Sequence, residues 1–170
     1  MKVRRGASKL YRKPDGATQV FVGPRHSGRP LGEILIEHGA ATREEIETAR
    51  AHQNSHGDRL GEILIEQGVC DERTISGAIA EQYGLKVVDL RRFTPEQAAI
   101  DHLGGDVART RRVLPLRFTK NGLIVVLDDV PSSETLATLA THLGGNVGIV
   151  LAPPSELTRS LETSYARSTT

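Results

Sequence analysis

Seven residues, Leu-Gly-Glu-Ile-Leu-Ile-Glu, occupy Leu31–Glu37 and return letter for letter at Leu60–Glu66, 29 positions later. A core demands only apolar periodicity, which many sequences satisfy, so identity this close implies that both copies present the same atoms to something. In the first copy Leu31, Ile34, Leu35 and His38 share one helical face, and Gly39 is placed to end the helix in the left-handed conformation. Thr42 with Glu45 forms a capping box opening a second helix that runs to about Gln53. The second copy repeats the arrangement: Leu60, Ile63, Leu64 and Gln67 on one face, Gly68 as the stop, Asp71 as the next cap, and a helix to Tyr83 closed by Gly84. Residues 29–84 are therefore two helix–Gly–helix units, and neither could bury its aliphatic face alone.

The texture changes after Gly84. The run at 85–90 reads as a short strand, and Thr94-Pro95-Glu96-Gln97 opens a helix with Pro at its first position. Two β-rich runs flank Asn121-Gly122, a strong hairpin signal. An amphipathic helix from about Ser133 to Leu143, a third strand and a last helix from Pro154 to about Tyr165 follow. The expected fold class is α+β: an N-terminal helical subdomain built from the tandem repeat, packed on a small C-terminal α+β layer (85–166) that contains a β-hairpin. Residues 1–28 are basic and rich in Gly and Pro, and read as a flexible arm with at most one edge strand at Val20–Val22. Residues 167–170 read as a tail that begins a linker, which favours a fragment of a longer protein.

Composition removes several function classes. Lys+Arg number 22 against 21 Asp+Glu, so no global field draws in DNA or RNA, although a compact anion held by local groups fits. The lone Cys70 forms no internal disulfide and reads as a small hydrophobe in a reducing, cytoplasmic setting. No apolar run approaches a membrane span, so direct membrane insertion is not expected. No phosphate loop and no nucleophile–base arrangement is present, so the chain is not expected to be an enzyme. His52 and His56 read as a solvated pair rather than metal ligands.

Aligned at their offset, the two copies agree at 12 of 24 positions from Pro30 and Arg59 to Gln53 and Gln82. Packing explains the Leu and Ile matches. It does not by itself explain Gly32 and Gly61 in a first helical turn, where Gly costs about 1 kcal/mol relative to Ala. Nor does it explain Arg59 before Leu60-Gly61, or Gln53 and Gln82 recurring on otherwise apolar faces. The doubled spacing RLGxxLxxxGxxxxxxLxxxLxxQ with its five-residue spacer resembles the MshEN domain. That family comprises cyclic di-GMP-binding N-terminal domains of type II secretion and type IV pilus assembly ATPases, also attached to bacterial glycosyltransferases. The second copy matches throughout, with Ile75 and Ile79 standing for Leu. The first departs at Pro30, where the family has Arg, and at Arg50, where it has Leu.

The resemblance implies a regulatory sensor for cyclic di-GMP, working on an attached or associated glycosyltransferase or secretion/pilus ATPase. The alternative is a protein-docking adaptor of a secretion or polysaccharide-export machine that binds no nucleotide. Under the first reading, two like protein units meet the two like halves of the ligand in twin pockets. Arg59, and less directly Arg29 beside Pro30, would bridge guanine N7 and O6. Gly61 and Gly32 would admit phosphate to backbone N–H groups. Leu60, Ile75 and Ile79 with Leu31 and Ile46 would wall the bases, and Gln82 and Gln53 would satisfy polar edges. Arg50 would either pair a phosphate or stay solvated. Asp129, with Asp128 as its rival, would accept from the guanine N1–H and amino groups.

Overall fold

The computed structural model describes residues 8–12, 18–24 and 28–166. Its elements are β1 (Ser8–Arg12), β2 (Thr18–Pro24), α1 (Leu31–Glu37), α2 (Arg43–His56), α3 (Leu60–Glu66), α4 (Glu72–Tyr83) and α5 (Gln97–Ile100). The chain continues through α6 (Gly105–Arg111), β3 (Leu114–Thr119), β4 (Gly122–Leu127), α7 (Ser133–His142), β5 (Gly145–Leu151) and α8 (Pro154–Tyr165). The α+β class and the helical repeat stand as expected.

The repeat is a repeat of hydrogen bonding as well as of letters. Gly39 and Gly68 take φ of 69° and 70°. The chain then folds back so that Ala40 N–H donates to Leu35 O, and Val69 N–H to Leu64 O, both at 2.9 Å. Thr42 and Glu45 make the full capping box, and Asp71 accepts from Thr74 N–H at 2.7 Å. Ile34, Leu35, Ile46 and Ala49 of one copy share a core with Ile63, Leu64, Ile75 and Ala78 of the other. The copies pack crosswise, α1 against α4 and α2 against α3, so each closes the other. Cys70 is buried in this core, and burial first, then Glu45 and Asp71, pushes its thiol pKa up.

Gly32 and Gly61 are where this packing is tightest. A β-carbon on Gly61 would lie 2.9 Å from Ile75 Cγ2, and one on Gly32 would lie 2.8 Å from Ile46 Cγ2. Both glycines are thus required by the approach of one helix start to the next helix, a packing reason the sequence alone did not disclose.

The second layer is a five-stranded sheet in the order β1-β2-β5-β4-β3. β3 and β4 form the expected antiparallel hairpin, while β4 runs parallel to β5 with α7 as the crossover. β2 adds parallel to β5, and β1 antiparallel to β2. The segment 1–28 therefore supplies two strands where at most one was expected; its remaining residues before 28, like the tail 167–170, lie outside the described residues. Two further expectations are corrected. The run 85–90 makes only one isolated bridge, Val87 to Leu151. The helix near Pro95 is a single turn that starts at Gln97, because Glu96 is drawn to β3: its N–H donates to Leu116 O at 2.8 Å and its carboxylate accepts from Phe118 N–H at 3.4 Å. α6 was not anticipated.

Polar ties bind the two layers. Arg73 on α4 pairs with Glu156 on α8 and lies 3.6 Å from Asp89, while Glu156 also accepts from Leu90 N–H at 3.2 Å. Arg91 holds Asp89 through two hydrogen bonds at 3.0 and 3.1 Å, which keep the Asp89 carboxyl at about 2. With the folded pKa depressed, ionised Asp89 contributes stability above the unfolded value of about 3.9 and loses it as pH falls toward 2. Acid titration followed by circular dichroism should therefore show Asp89→Asn with a shallower loss of stability across that window. A packing prediction follows from the glycines. Gly61→Ala should destabilise by about 1–3 kcal/mol in urea melts through overpacking. Gly77→Ala, in α4 with nothing within 4 Å of the added carbon, should stabilise by about 0.5–1 kcal/mol.

Candidate functional site

One cavity of about 560 Å³ opens between the second repeat copy and the sheet layer. Its floor comes from α3 and α4: Leu60, Gly61 and Ile65 from the first, Ile75, Ser76, Ile79, Gln82 and Tyr83 from the second. The spacing explains the convergence, since positions 72, 75, 76, 79, 82 and 83 fall on one face of a 3.6-residue helix. Leu31 enters from the first copy, its Cδ2 3.9 Å from where a Gly61 β-carbon would sit. Arg112, Asp128, Asp129 and Pro154 close the far side from the sheet layer.

Of the residues singled out from the sequence, the fold gathers Leu31, Arg59, Leu60, Gly61, Ile75, Ile79, Gln82 and Asp129 around this one space. Arg29, Pro30, Gly32, Ile46, Arg50 and Gln53 do not line it. Arg29 turns away, its guanidinium paired with Glu37 and with Glu81, the latter at 3.3 Å. His38, expected on the apolar face of α1, is exposed and meets the same Glu81 at 2.6 Å. Arg50 lies over Gly32, its Nη2 3.0 Å from the site of the missing β-carbon. It holds the place that Ile79 holds in the other copy, so a cation covers the first helix start where the second borders an open cavity. Gln82 ties the copies together, donating from Nε2 to Arg29 O at 3.0 Å.

The charged groups that line the cavity are partnered, and one pair spans it. Arg59, whose side chain is 70% exposed, reaches from the start of α3 to Asp129 at the end of β4. Arg112 donates to Asp128 Oδ2 at 2.7 Å, to Thr158 Oγ1 at 2.9 Å and to Pro154 O at 3.2 Å. It is the non-glycine residue with left-handed backbone among those described, with φ of 52°, and that turn lets it end α6 and reach two elements at once. Glu72 accepts from Ser155 N–H at 3.2 Å, and Glu62 reaches back to Arg59 N–H at 3.4 Å. Every carboxylate on the rim thus already accepts from a protein donor, while the guanidiniums at Arg59 and Arg112 have N–H groups to spare. Chemically, the cavity offers aliphatic walls for a flat ring, carboxylate oxygens for donor edges and two cations for an anion.

Sequence reasoning missed Glu72 and Ser76, although their helical spacing from Ile75 and Ile79 could have found them. It missed Arg112 and Pro154, which reach the cavity through tertiary packing alone. Asp128 and Asp129, weighed as rivals, both line the space.

Residues 83–170, just over half of the chain, match the model of the MshEN domain, and the chain belongs to that family. Among its relatives is the bacteriophage adsorption protein B of Escherichia coli K12, 32% identical over 145 residues that make up 85% of this chain and 19% of that protein. Another is the type IV pilus assembly ATPase PilB of Myxococcus xanthus DK1622, 27% identical over 140 residues, 82% of this chain and 25% of that protein. The chain thus spans about a fifth to a quarter of the length of these curated relatives. Among solved structures, MshE with cdg (cyclic di-GMP) superposes with a TM-score of 0.70 at 27% identity, covering 81% of this chain and 99% of that one. The N-terminal domain of XpsE shares the fold at a TM-score of 0.59 and 23% identity, over 78% of this chain and 91% of that one. Among the described residues, no helix is long and apolar enough to cross a membrane, and no cluster of His, Cys, Asp or Glu is placed to hold a metal.

The two guanidiniums differ in what their loss should cost. Arg112→Ala strands Asp128 and two further acceptors and should lower stability by roughly 1.5–3 kcal/mol. Arg59→Ala removes an exposed pair and should cost no more than about 1 kcal/mol. Chemical denaturation of both variants checks the order.

Proposed function

We propose that this domain is a cyclic di-GMP sensor acting in the cytoplasm on an attached or associated catalytic machine, a glycosyltransferase or a secretion/pilus ATPase. The observation that carries the reading is the convergence of the second motif, Arg59 to Gln82, with Asp129 on one cavity whose walls suit a guanine nucleotide. The likeness to MshE with cdg supports the choice of ligand.

In this reading one guanine lies between Leu31, Leu60, Ile75 and Ile79. Arg59 turns from Asp129 to the acceptor pair N7 and O6, and Asp129, with Asp128 beside it, accepts from N1–H and the amino group. Arg112 faces the phosphates. Ser76, 2% exposed, and Gln82 supply polar contacts deep in the cavity. The first copy contributes Leu31 to the wall. Its own half-site, Arg29, Pro30, Gly32, Ile46, Arg50 and Gln53, would meet the second half of the dinucleotide through Arg50, which stands nearest its helix start. The domain carries no catalysis of its own in this reading. The effect is instead transmitted to the remaining length that its relatives possess.

Isothermal titration should give one cyclic di-GMP per chain with micromolar or tighter affinity, and Arg59→Ala should weaken it by roughly 1–3 kcal/mol. Absence of heat and of any thermal shift at high ligand would replace the sensor by the docking adaptor.

A further inference from the structure

A second cavity, of about 440 Å³, runs along α8 on the side away from its buried stripe. Leu157, Leu161 and Tyr165 of α8 face the core, while Ser155, Glu156, Arg159, Ser160, Thr163 and Ser164 form one wall of a groove. The opposite wall is the 90–95 loop, held in place by Leu90 N–H on Glu156 and by Arg91 on Asp89. Phe93 stands at the rim with 55% of its surface exposed, a large apolar side chain with no packing role in the core.

We propose that this groove is a docking surface for an extended, apolar-and-acidic segment of the catalytic partner. Length and charge select that occupant. From Ser155 to Ser164 the helix rises about 13 Å, the span of roughly four extended residues. The groove's carboxylate, Glu156, is 14% exposed and already engaged by Arg73 and the loop N–H, so it presents little negative charge outward. Arg91 is exposed but its charge is met by Asp89 at 3.0 Å and Glu156 at 3.6 Å, whereas the exposed Arg159 guanidinium has no ion-pair partner among the described residues and supplies the groove's uncompensated charge. The groove therefore shows positive charge and hydroxyls around an uncovered aromatic ring, which complement carboxylates flanking an apolar side chain.

Its position fits an output surface. The ligand cavity and the groove meet at the first turn of α8: Pro154 lines one, Ser155 and Glu156 the other. Glu72, in the cavity wall, accepts from Ser155, and its neighbour Arg73 grips Glu156. Docking itself does not require that the cavity take a dinucleotide.

The test is a ¹⁵N–¹H correlation titration of the 170-residue chain with a short blocked peptide alternating leucine and glutamate, and with its counterpart carrying lysine for glutamate. The glutamate peptide should move the resonances of residues 90–94 and 159–164 saturably, and the lysine peptide should not. Phe93→Ala should weaken binding by about fivefold or more. Arg159→Glu should reverse the preference toward the lysine peptide, a gain that unfolding could not produce. No movement at millimolar glutamate peptide, equal movement by both peptides, or movement centred on residues 59–82 would overturn the proposal. A failure to bind cyclic di-GMP would leave all these outcomes unchanged, so the two readings fail separately.

Discussion

Two glycines carry the arrangement from which the rest follows. At Gly32 and Gly61 a helix begins against an isoleucine of the next helix, closer than any side chain allows. Because α1 and α3 are short, neither would be stable on its own. Each persists because its buried pair, Ile34–Leu35 or Ile63–Leu64, enters a core that both copies share. The penalty that Gly brings to a helix is offset by this approach. The identical heptapeptides are first a packing solution used twice.

The same symmetry makes the differences between the copies informative. Where the second copy has Arg59 and Ile79, the first has Pro30 and Arg50. The second copy faces the sheet layer and shares a cavity with Asp128, Asp129 and Arg112; in the first, Arg50 covers Gly32. A duplicated scaffold has thus been given two unlike faces, while the framework pairs Gly32/Gly61, Ile34/Ile63, Leu35/Leu64 and Ile46/Ile75 stay identical. Fold and site are separable in this domain: the glycines and aliphatics serve the first, the charged residues between them the second.

Helix–Gly–helix units, the Asn121-Gly122 hairpin and the final helix were legible because each is announced locally, by a cap, a stop or a period. Glu96 shows where that reasoning ends. Its sequence setting, just after Thr94-Pro95, is that of a helix start, yet both its N–H and its carboxylate are taken by β3, a partner some twenty residues away. The 85–90 run fails as a strand for a related reason, since a single bridge at Val87, with its flanking hydrogen bonds linking Lys86 and Val88 to Leu151, is all that joins it to the sheet. At the site, Arg59, Leu60, Ile75, Ile79 and Gln82 could be chosen from a spaced motif on two adjacent helices. Arg112 could not, because its role rests on a left-handed backbone and on α8, neither of which has a local signature.

Ile79 packs against both hydrophobic clusters and also borders the cavity. The helical half and the sheet half therefore share this side chain at their seam, beside the polar ties from Arg73 and Glu72. Loosening either half loosens the other, so the chain should melt as one cooperative body. Were a molecule to seat beside that seam, as proposed, it would touch both halves at once, like a keystone.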